Sequence, residues 1–265
     1  MNGRVLIVAG SDSSGGAGIQ ADIKTVTALD GYAATAITAL TVQNTLGVFA
    51  TMPVDALFVR QQIEAVLGDI GADCVKTGML ANAEIIAAVA DALAAVPQVP
   101  LVVDPVLRST SGTPLLDAAA IGALKERLIA RATVLTPNLP EAEALLGRAI
   151  VDAAAMEAAA RSLRALGAAT VMLKGGHLAG DVVRDVVVEG DRRYVLESRR
   201  VKTRHTHGTG CTLASAIATG LAQGLTARAA IERAHAYVQQ AIRTAPGLGQ
   251  GRGPLNHAHT VRDEP

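Results

Sequence analysis

Short apolar runs alternate along this chain with longer stretches in which apolar residues recur every three or four positions. The runs predict buried β-strands, and the longer stretches predict helices with one apolar face. The predicted strands are residues 5–9, 33–42, 73–76, 101–103, 133–135 and 170–173. The predicted helices are residues 17–30, 55–67, 82–94, 116–129, 139–146, 153–166, a buried helix from residue 210 onward, and 227–242.

Alternating strands and helices are typical of a mostly parallel sheet with helices on both faces. Residues 181–189 and 193–201 alternate at period two across Gly190 and Asp191, which predicts a β-hairpin. No internal repeat or long polar linker divides the chain. The pattern therefore predicts one α/β domain over residues 1–265, with a small β-hairpin and a partly loose tail at residues 247–265.

Composition narrows the class of protein. Half of the 265 residues are hydrophobic, but only 2% are aromatic and none is Trp, so Ala, Val, Leu and Ile must form the core. Basic and acidic residues number 24 each, so the net charge is zero. Nucleic acids and anionic membranes bind basic surfaces, and this balance argues against both as partners.

The cysteines and the N-terminus bear on location. Cys74 and Cys211 lie far apart and form no Cys-x-x-Cys motif, which favours free thiols in a reducing compartment. The first apolar run is too short for a signal-peptide core, and no stretch approaches about 18 uninterrupted apolar residues. We therefore expect a soluble, cytoplasmic protein.

A glycine-containing loop precedes the helix that starts at residue 210. Gly208 and Gly210 let the backbone turn and approach a ligand closely. The first amides of a helix lack internal partners, and the helix dipole places positive charge there, so we predict an anion hole with Cys211 at its lip. A thiolate is favoured in such settings, where pKa values of roughly 3.5–7.5 are known. The alternative is an ordinary turn followed by a small buried cysteine.

Further residues with useful chemistry directly follow predicted strands. Ligands of open α/β sheets bind beyond the carboxyl ends of the strands, so these positions predict a catalytic crevice. The residues are Gln43, Met79, Asp104, Asn138 and Lys174.

These residue types are those that a kinase needs. Lys174, followed by two glycines, can reach a phosphate as a point charge. Asn138 and Glu141 lie three positions apart at a helix start, and with Asp104 they offer the oxygen ligands that suit Mg²⁺. Taken alone, Glu141 could equally be matched to the helix dipole, and Asp104 could simply end a strand.

Gln43 is the sharper substrate candidate. Its amide offers a donor and an acceptor side by side, which match a ring nitrogen next to an amino group. A surface polar residue is the equal alternative, just as Met79 is either an apolar pocket wall or ordinary core. The pairs His205/His207 and His257/His259 lack a third ligand, so the sequence disfavours a metal role for them.

Five longer motifs stand out: GSDSSGGAGIQAD at 10–22, ALTVQNT at 39–45, TPNLPEA at 136–142, LKGGH at 173–177 and THGTGC at 206–211. Together they resemble the hydroxymethylpyrimidine/phosphomethylpyrimidine kinases of thiamine biosynthesis, which belong to the ribokinase-like superfamily. The resemblance runs from Arg4 to His259 with the motifs in order. It implies a three-layer sandwich and ATP-dependent phosphorylation of 4-amino-5-hydroxymethyl-2-methylpyrimidine and then of its monophosphate.

The resemblance also implies roles for individual residues. Cys211 is the implied base, assisted by the catalytic residues Gly208, Gly210 and Lys174. The implied ligands of Mg²⁺ are Asp104 and Glu141. Implied contacts to ATP come from Asn138, Lys174, Thr206, Gly208, Thr209 and Gly210. Gln43 matches the residue that reads the pyrimidine edge, in a pocket completed by Gly10, Ala17, Asp22, Met79 and Val106. Members resembling this one are commonly dimers, so a homodimer is expected.

Two alternatives remain beside this interpretation. Pyridoxal kinase shares the fold and, in some branches, most of the motifs, although Gln43 and Met79 favour the pyrimidine. A non-catalytic pyrimidine- or nucleotide-binding regulator is the other alternative, against which the presence of Cys211, Lys174 and Glu141 argues. One departure concerns the nucleotide side of the loop, where His205 stands in a position that is usually Asn or Asp in these kinases.

Overall fold

Nine strands in the described part of the chain form one sheet. The computed structural model describes residues 2–109, 112–117 and 119–261. The strands are β1 Arg4–Asp12, β2 Tyr32–Asn44, β3 Gly47–Pro53, β4 Cys74–Thr77, β5 Leu101–Val103, β6 Val134–Leu135, β7 Thr170–Leu173, β8 Val182–Glu189 and β9 Arg192–Arg199. Their order across the sheet is β3-β2-β1-β4-β5-β6-β7-β8-β9. Six neighbouring strands are mutually parallel, namely β2, β1, β4, β5, β6 and β7. Strands β3, β8 and β9 are antiparallel to their neighbours.

Helices cover both faces of this sheet. Within the described residues they are α1 Gly18–Ala28, α2 Ala56–Gly68, α3 Ala83–Leu93, α4 Ala120–Arg127, α5 Leu139–Leu146, α6 Ala153–Arg164, α7 Thr209–Ala222 and α8 Ala227–Arg243, with a 3-10 turn at Ile129–Arg131. None of these helices is long and apolar enough to cross a bilayer.

The side chains of β1 explain the two layers. Leu6 and Val8 belong to the core cluster shared with α2 to α6, whereas Val5, Ile7 and Ala9 belong to the cluster shared with α1, α7 and α8. A strand that is buried on both faces reads as an unbroken apolar run, and β1 was recognisable in the sequence for that reason. The predicted three-layer α/β sandwich is confirmed.

Several helix starts were predicted well because capping is local. Asp55 accepts a hydrogen bond from Phe58 N at 3.0 Å, and Asn82 accepts one from Ile85 N at 2.9 Å. Each cap satisfies an amide that has no partner within its helix. The prediction for residues 116–129 is wrong at its start, since α4 begins only at Ala120; residue 118 lies outside the described residues.

Two further predictions need correction at the edge beside β1. Strand β3 was not predicted, and it pairs with β2 as a hairpin. Gln43 does not follow a strand but lies within β2, where the register with β3 shifts between Val42 and Gln43. Such a bulge bends the strand and re-aims a side chain.

The tail is docked on the domain up to His259 rather than loose. Arg252 N donates to Thr45 O at 2.8 Å, and His207 N donates to Gly253 O at 3.1 Å. Leu255 is buried, and so is His257. The prediction of a partly loose tail is therefore wrong for residues 252–257, because backbone hydrogen bonds and the burial of Leu255 hold them on the domain. Residues 262–265 lie outside the described part.

Candidate active site

Two glycine-containing loops meet at the carboxyl edge of the parallel strands. Gly208 has φ +80°, and a Cβ on it would stand 1.9 Å from Gly16 O. Only glycine accommodates both the backbone angle and the contact. The loop after β1 and the loop before α7 are thereby joined, although they are distant in sequence.

The carboxylate of Asp12 organises the loop after β1. It accepts hydrogen bonds from the backbone amides of Ser14 (2.8 Å), Gly16 (3.2 Å) and Ala17 (2.8 Å). Its Oδ2 also lies 2.8 Å from His207 Nε2. Burial works to raise the pKa of Asp12, but the hydrogen bonds from His207 and Ser14 outweigh it and hold the pKa at about 2. Asp12 is therefore ionised and is the common acceptor of these hydrogen bonds, a role that the sequence prediction missed. The sequence did show an acidic residue at the start of a glycine-rich loop, whose backbone amides need an acceptor.

Gln43 is held close to Asp12. Its side-chain amide lies 3.1 Å from His207 Nε2 and 3.2 Å from Thr41 Oγ1. Its backbone is held by Ser13, whose hydroxyl donates to Gln43 O at 2.9 Å and accepts from Gln43 N at 3.0 Å. A cavity of about 180 Å³ opens beside it, bordered also by Leu46. The structure thus places Gln43 at the wall of a ligand-sized pocket.

The other predicted substrate residues fall into two groups. Gly10 touches Met79, since a Cβ on Gly10 would lie 3.0 Å from the sulfur. Ala17 adjoins Gly208, and Val106 packs against the same apolar cluster as Met79. Asp22, in contrast, has a fully buried side chain that offers no surface to a substrate.

Asp22 forms a buried ion pair that the sequence prediction also missed. Lys76 Nζ lies 2.8 Å from Asp22 Oδ2, and neither side chain is exposed. Ser215 of α7 donates to Asp22 Oδ1 at 2.7 Å. A lysine within a short buried strand needs a carboxylate partner, and that was the available signal. The pair lies behind Cys211, which both charges influence.

Cys211 lies in the first turn of α7, close to Gly18 at the start of α1, whose backbone amide works to lower the pKa of the thiol. Burial nevertheless raises the pKa of the Cys211 thiol to about 12, and Lys76 opposes this rise without cancelling it. The expectation of a thiolate favoured by the helix terminus is therefore wrong. Removing a charge from water outweighs the helix dipole here.

Lys174 and Asp104 lie beside Gly210 at the start of α7. Lys174 Nζ is 3.3 Å from Asp104 Oδ1, and a Cβ on Gly210 would be 3.1 Å from that nitrogen. Burial works to lower the pKa of Lys174, but the carboxylates of Asp104 and Glu141 outweigh this effect and raise the pKa above its ordinary value. The amine of Lys174 is therefore charged. The structure brings together the predicted phosphate-binding lysine and the predicted anion hole.

Asn138 and Glu141 form a capping box at the start of α5. Asn138 Oδ1 accepts from Glu141 N at 2.9 Å, and Glu141 Oε2 accepts from Asn138 N at 2.8 Å. Burial raises the pKa of Glu141 to about 7, with Lys174 opposing and Asp104 reinforcing the shift. A carboxylate of raised pKa close to Asp104 suits a divalent cation, which would compensate both charges. Among the described residues, no group of three or more His, Cys, Asp or Glu side chains could hold a metal ion. The two carboxylates of Asp104 and Glu141 nevertheless fit Mg²⁺, which takes one or two carboxylates and completes its shell with water and phosphate.

Thr206 and Thr209 close the turn before α7. The Thr209 hydroxyl donates to Thr206 O at 2.8 Å, so its only hydrogen is committed within the loop. Thr206 and Thr209 were predicted to contact the nucleotide, but in the structure they stabilise the turn. The backbone amides of Gly210 and Cys211 remain available to bind an anion.

A second cleft of about 520 Å³ lies between the end of β9 and α8. Three buried polar atoms in it have no hydrogen-bond partner among the described residues: Ser198 Oγ, His235 Nε2 and Gln239 Oε1. Arg200 at its border donates to Gly176 O at 2.8 Å, so the cleft adjoins the loop that follows Lys174. The sequence prediction missed this cleft because its two walls are separate elements.

Comparison with known proteins decides which family these features belong to. Residues 12–256 match the family model described as Phosphomethylpyrimidine kinase. The chain belongs to this family.

Relatives within and beside the family agree with this. The chain is 53% identical to the thiamine biosynthesis bifunctional protein ThiED of Geobacter sulfurreducens, over 98% of this chain and 54% of that protein, so it spans about half of that relative. It is 46% identical to the hydroxymethylpyrimidine/phosphomethylpyrimidine kinase of Haemophilus influenzae, over 96% of each. The pyridoxal kinase of Staphylococcus aureus, solved in complex with AMP-PCP and pyridoxal, superposes with a TM-score of 0.91 at 34% identity, covering 100% of this chain and 96% of that one. The ribokinase-like fold and the phosphotransferase class predicted from the motifs are confirmed.

The contact between the two loops yields a prediction. Gly208→Ala should lower the free energy of unfolding by about 2 kcal/mol or more, because a strained backbone angle and a clash with Gly16 O are both introduced. Phosphotransfer should fall with it, since the amides at the start of α7 move. Thermal unfolding and initial rates would measure the two effects.

Gly68→Ala is the matched control, because a Cβ there meets no atom within 4 Å. A Gly208→Ala protein as stable and active as this control would contradict the close contact of the loops.

Proposed function

We propose that this protein transfers the terminal phosphoryl group of ATP to 4-amino-5-hydroxymethyl-2-methylpyrimidine, and then phosphorylates the monophosphate to the diphosphate. The observation that carries the proposal is that Gln43, whose amide can hydrogen-bond to the pyrimidine ring, lies at the same end of the sheet as the turn of Gly208 to Cys211. The Haemophilus influenzae relative, a hydroxymethylpyrimidine/phosphomethylpyrimidine kinase, supports the same reaction.

The order of strands suggests how the two substrates lie. Gln43 belongs to β2 at one side of the sheet, and the cleft of His235 and Gln239 lies beyond β9 at the other. The start of α7 and Lys174 lie between them. We place the nucleotide base in the cleft, where buried polar atoms have no hydrogen-bond partner among the described residues, and the phosphates at the amides of α7 and at Lys174.

Asp104 and Glu141 would hold Mg²⁺ together with the phosphates. The ion, when bound, neutralises phosphate charge and orients the transferred group. Lys174 supplies a further positive charge at the same place, and the rigid amides of the turn stabilise the charge that develops on the phosphoryl oxygens.

Cys211 is the group that we assign to accept the proton of the substrate hydroxyl. Its thiol adjoins the anion hole, and Lys76 behind it favours the thiolate. With a pKa of about 12 the thiolate is scarce near neutrality, but it is a strong base once formed. The rate of transfer should consequently depend on pH.

The test of the proposed function is release of ADP with Mg·ATP, when the aminopyrimidine and pyridoxal are offered separately and the products are resolved by mass. We expect the monophosphate and then the diphosphate of the pyrimidine. Turnover of pyridoxal alone would replace the proposal with pyridoxal kinase activity, which the similarity to the Staphylococcus aureus enzyme makes the second candidate. Turnover of neither compound would favour a binding protein.

The assignment of Cys211 predicts a kinetic effect. Cys211→Ser should lower kcat by roughly 10²–10⁴-fold and leave ATP binding little changed, because the base is lost and the amides of the turn remain. In the wild type, kcat should rise with pH between about 7 and 9, below the pKa of the thiol, and this slope should vanish in the variant.

Cys74→Ala is the control, since that thiol is buried in β4 and donates a hydrogen bond to Val75 O. Unchanged turnover in Cys211→Ser would move the role of base to another residue.

We further propose that the protein is a homodimer of the reducing cytoplasm. Two free thiols, Cys74 and Cys211, support the compartment. The β2–β3 hairpin and the start of α2 support the dimer, because they expose an apolar patch next to the substrate pocket. Its members are Leu40, Val42, Leu46, Phe49, Met52, Leu57 and Phe58.

Phe49→Asp should shift the protein to monomers by placing a charge in this patch. Val151→Asp, at a still more exposed apolar residue outside the patch, should not. Light scattering over a concentration series measures both, and a wild type that is monomeric throughout would contradict the dimer.

A further inference from the structure

One ring nitrogen serves two neighbours at the wall of the substrate pocket. His207 Nε2 lies 2.8 Å from Asp12 Oδ2 and 3.1 Å from the side-chain amide of Gln43. The Asp12 carboxylate is ionised, and an ionised carboxylate can only accept hydrogen bonds. His207 Nε2 must therefore carry a hydrogen and direct it toward Asp12, whether the ring is neutral or charged.

This proton decides which end of the Gln43 amide faces His207. Gln43 is drawn with Nε2 toward His207 and Oε1 toward Thr41. The oxygen and nitrogen of a carboxamide have nearly the same shape, so their hydrogen-bond partners, rather than their drawn positions, determine which is which. An NH₂ group facing the Nε2–H of His207 would set two donors against each other. The carbonyl oxygen of Gln43 must consequently lie on the His207 side, where it shares the Nε2 hydrogen with Asp12.

The other end of the amide gives the same answer independently. The Thr41 hydroxyl lies 2.9 Å from Ser11 O, an acceptor that takes its only hydrogen. Toward Gln43, 3.2 Å away, the hydroxyl can then offer only a lone pair. The NH₂ group of Gln43 must lie on this side, and it donates to Thr41.

We propose that His207, held by Asp12, is a positioning residue that fixes the direction of the Gln43 carboxamide and so selects a 4-aminopyrimidine over its 4-oxo analogue. The inference rests on the proposed function, since it assigns the pyrimidine edge to Gln43. One lone pair of the Gln43 oxygen and one hydrogen of its NH₂ group remain for the ligand. They match an exocyclic amino group on the His207 side and a ring nitrogen on the Thr41 side.

A 4-oxo ring presents the reverse order, with an N–H donor in the ring and a carbonyl acceptor outside it. To bind it, the amide would have to turn over, and both of its contacts with the protein would become unfavourable. A carboxamide free to rotate would accept either ring. The selectivity therefore resides in the neighbours of Gln43 as much as in Gln43 itself.

The test compares binding of 4-amino-5-hydroxymethyl-2-methylpyrimidine and its 4-oxo analogue by calorimetry in the absence of ATP. His207→Leu removes the fixed donor, and we expect it to reduce the ratio of the two affinities by roughly tenfold or more. In turnover the variant should raise KM for the aminopyrimidine more than it lowers kcat, because the reacting groups are untouched. His207→Gln should restore the preference, since its NH₂ group can donate to Asp12 and to the Gln43 oxygen.

Thr41→Val provides a second variant of similar size that removes the contact at the other end of the amide. It should weaken the same preference even if His207→Leu folds poorly. An unchanged ratio of affinities in folded His207→Leu and in Thr41→Val would overturn the inference, as would a wild type that phosphorylates the aminopyrimidine but binds both rings equally. A wild type with affinity for neither ring would overturn the proposed function itself, and the inference with it.

Discussion

The site depends on the contact between Gly208 and Gly16. The carboxylate of Asp12 stabilises this contact by accepting hydrogen bonds from both loops. The loop after β1 and the loop before α7 can meet because neither glycine carries a side chain. Asp12 then gathers amides from one loop and the imidazole of His207 from the other. The anion hole and the position of Cys211 depend on the contact of the two glycines, and the pocket wall beside Gln43 depends on Asp12 and His207.

Charge is distributed around the start of α7 in compensated pairs. Lys76 with Asp22 lies behind the helix start, and Lys174 with Asp104 lies beside it. Buried charges are costly unless they are paired, and in each pair the carboxylate raises the pKa of the lysine beside it. Burial raises the pKa of the Cys211 thiol, and Lys76 behind it opposes this rise only in part.

The proposed substrate side and the proposed nucleotide side are built differently. The substrate wall comes from a bulged strand, a serine clamp and a docked tail, which restrict Gln43 to one arrangement. The cleft beside β9 contains buried polar atoms that have no hydrogen-bond partner among the described residues. The narrow pocket with a pre-organised Gln43 suits a small ring. The larger cleft, which contains buried polar atoms without hydrogen-bond partners among the described residues, suits a nucleotide.

The sequence by itself determined the sandwich, most element boundaries and the family, because periodicity, caps and contiguous motifs are local properties. Strands β5 and β7 and helix α5 lie where the pattern predicts them. Only the tertiary structure decided that Lys76 pairs with Asp22, that the Cys211 thiol keeps its proton, and that His207 faces both Asp12 and Gln43. It also decided that the tail docks beside Thr45. These outcomes depend on which distant elements become neighbours and on how much water each group loses, and neither quantity is encoded in local spacing.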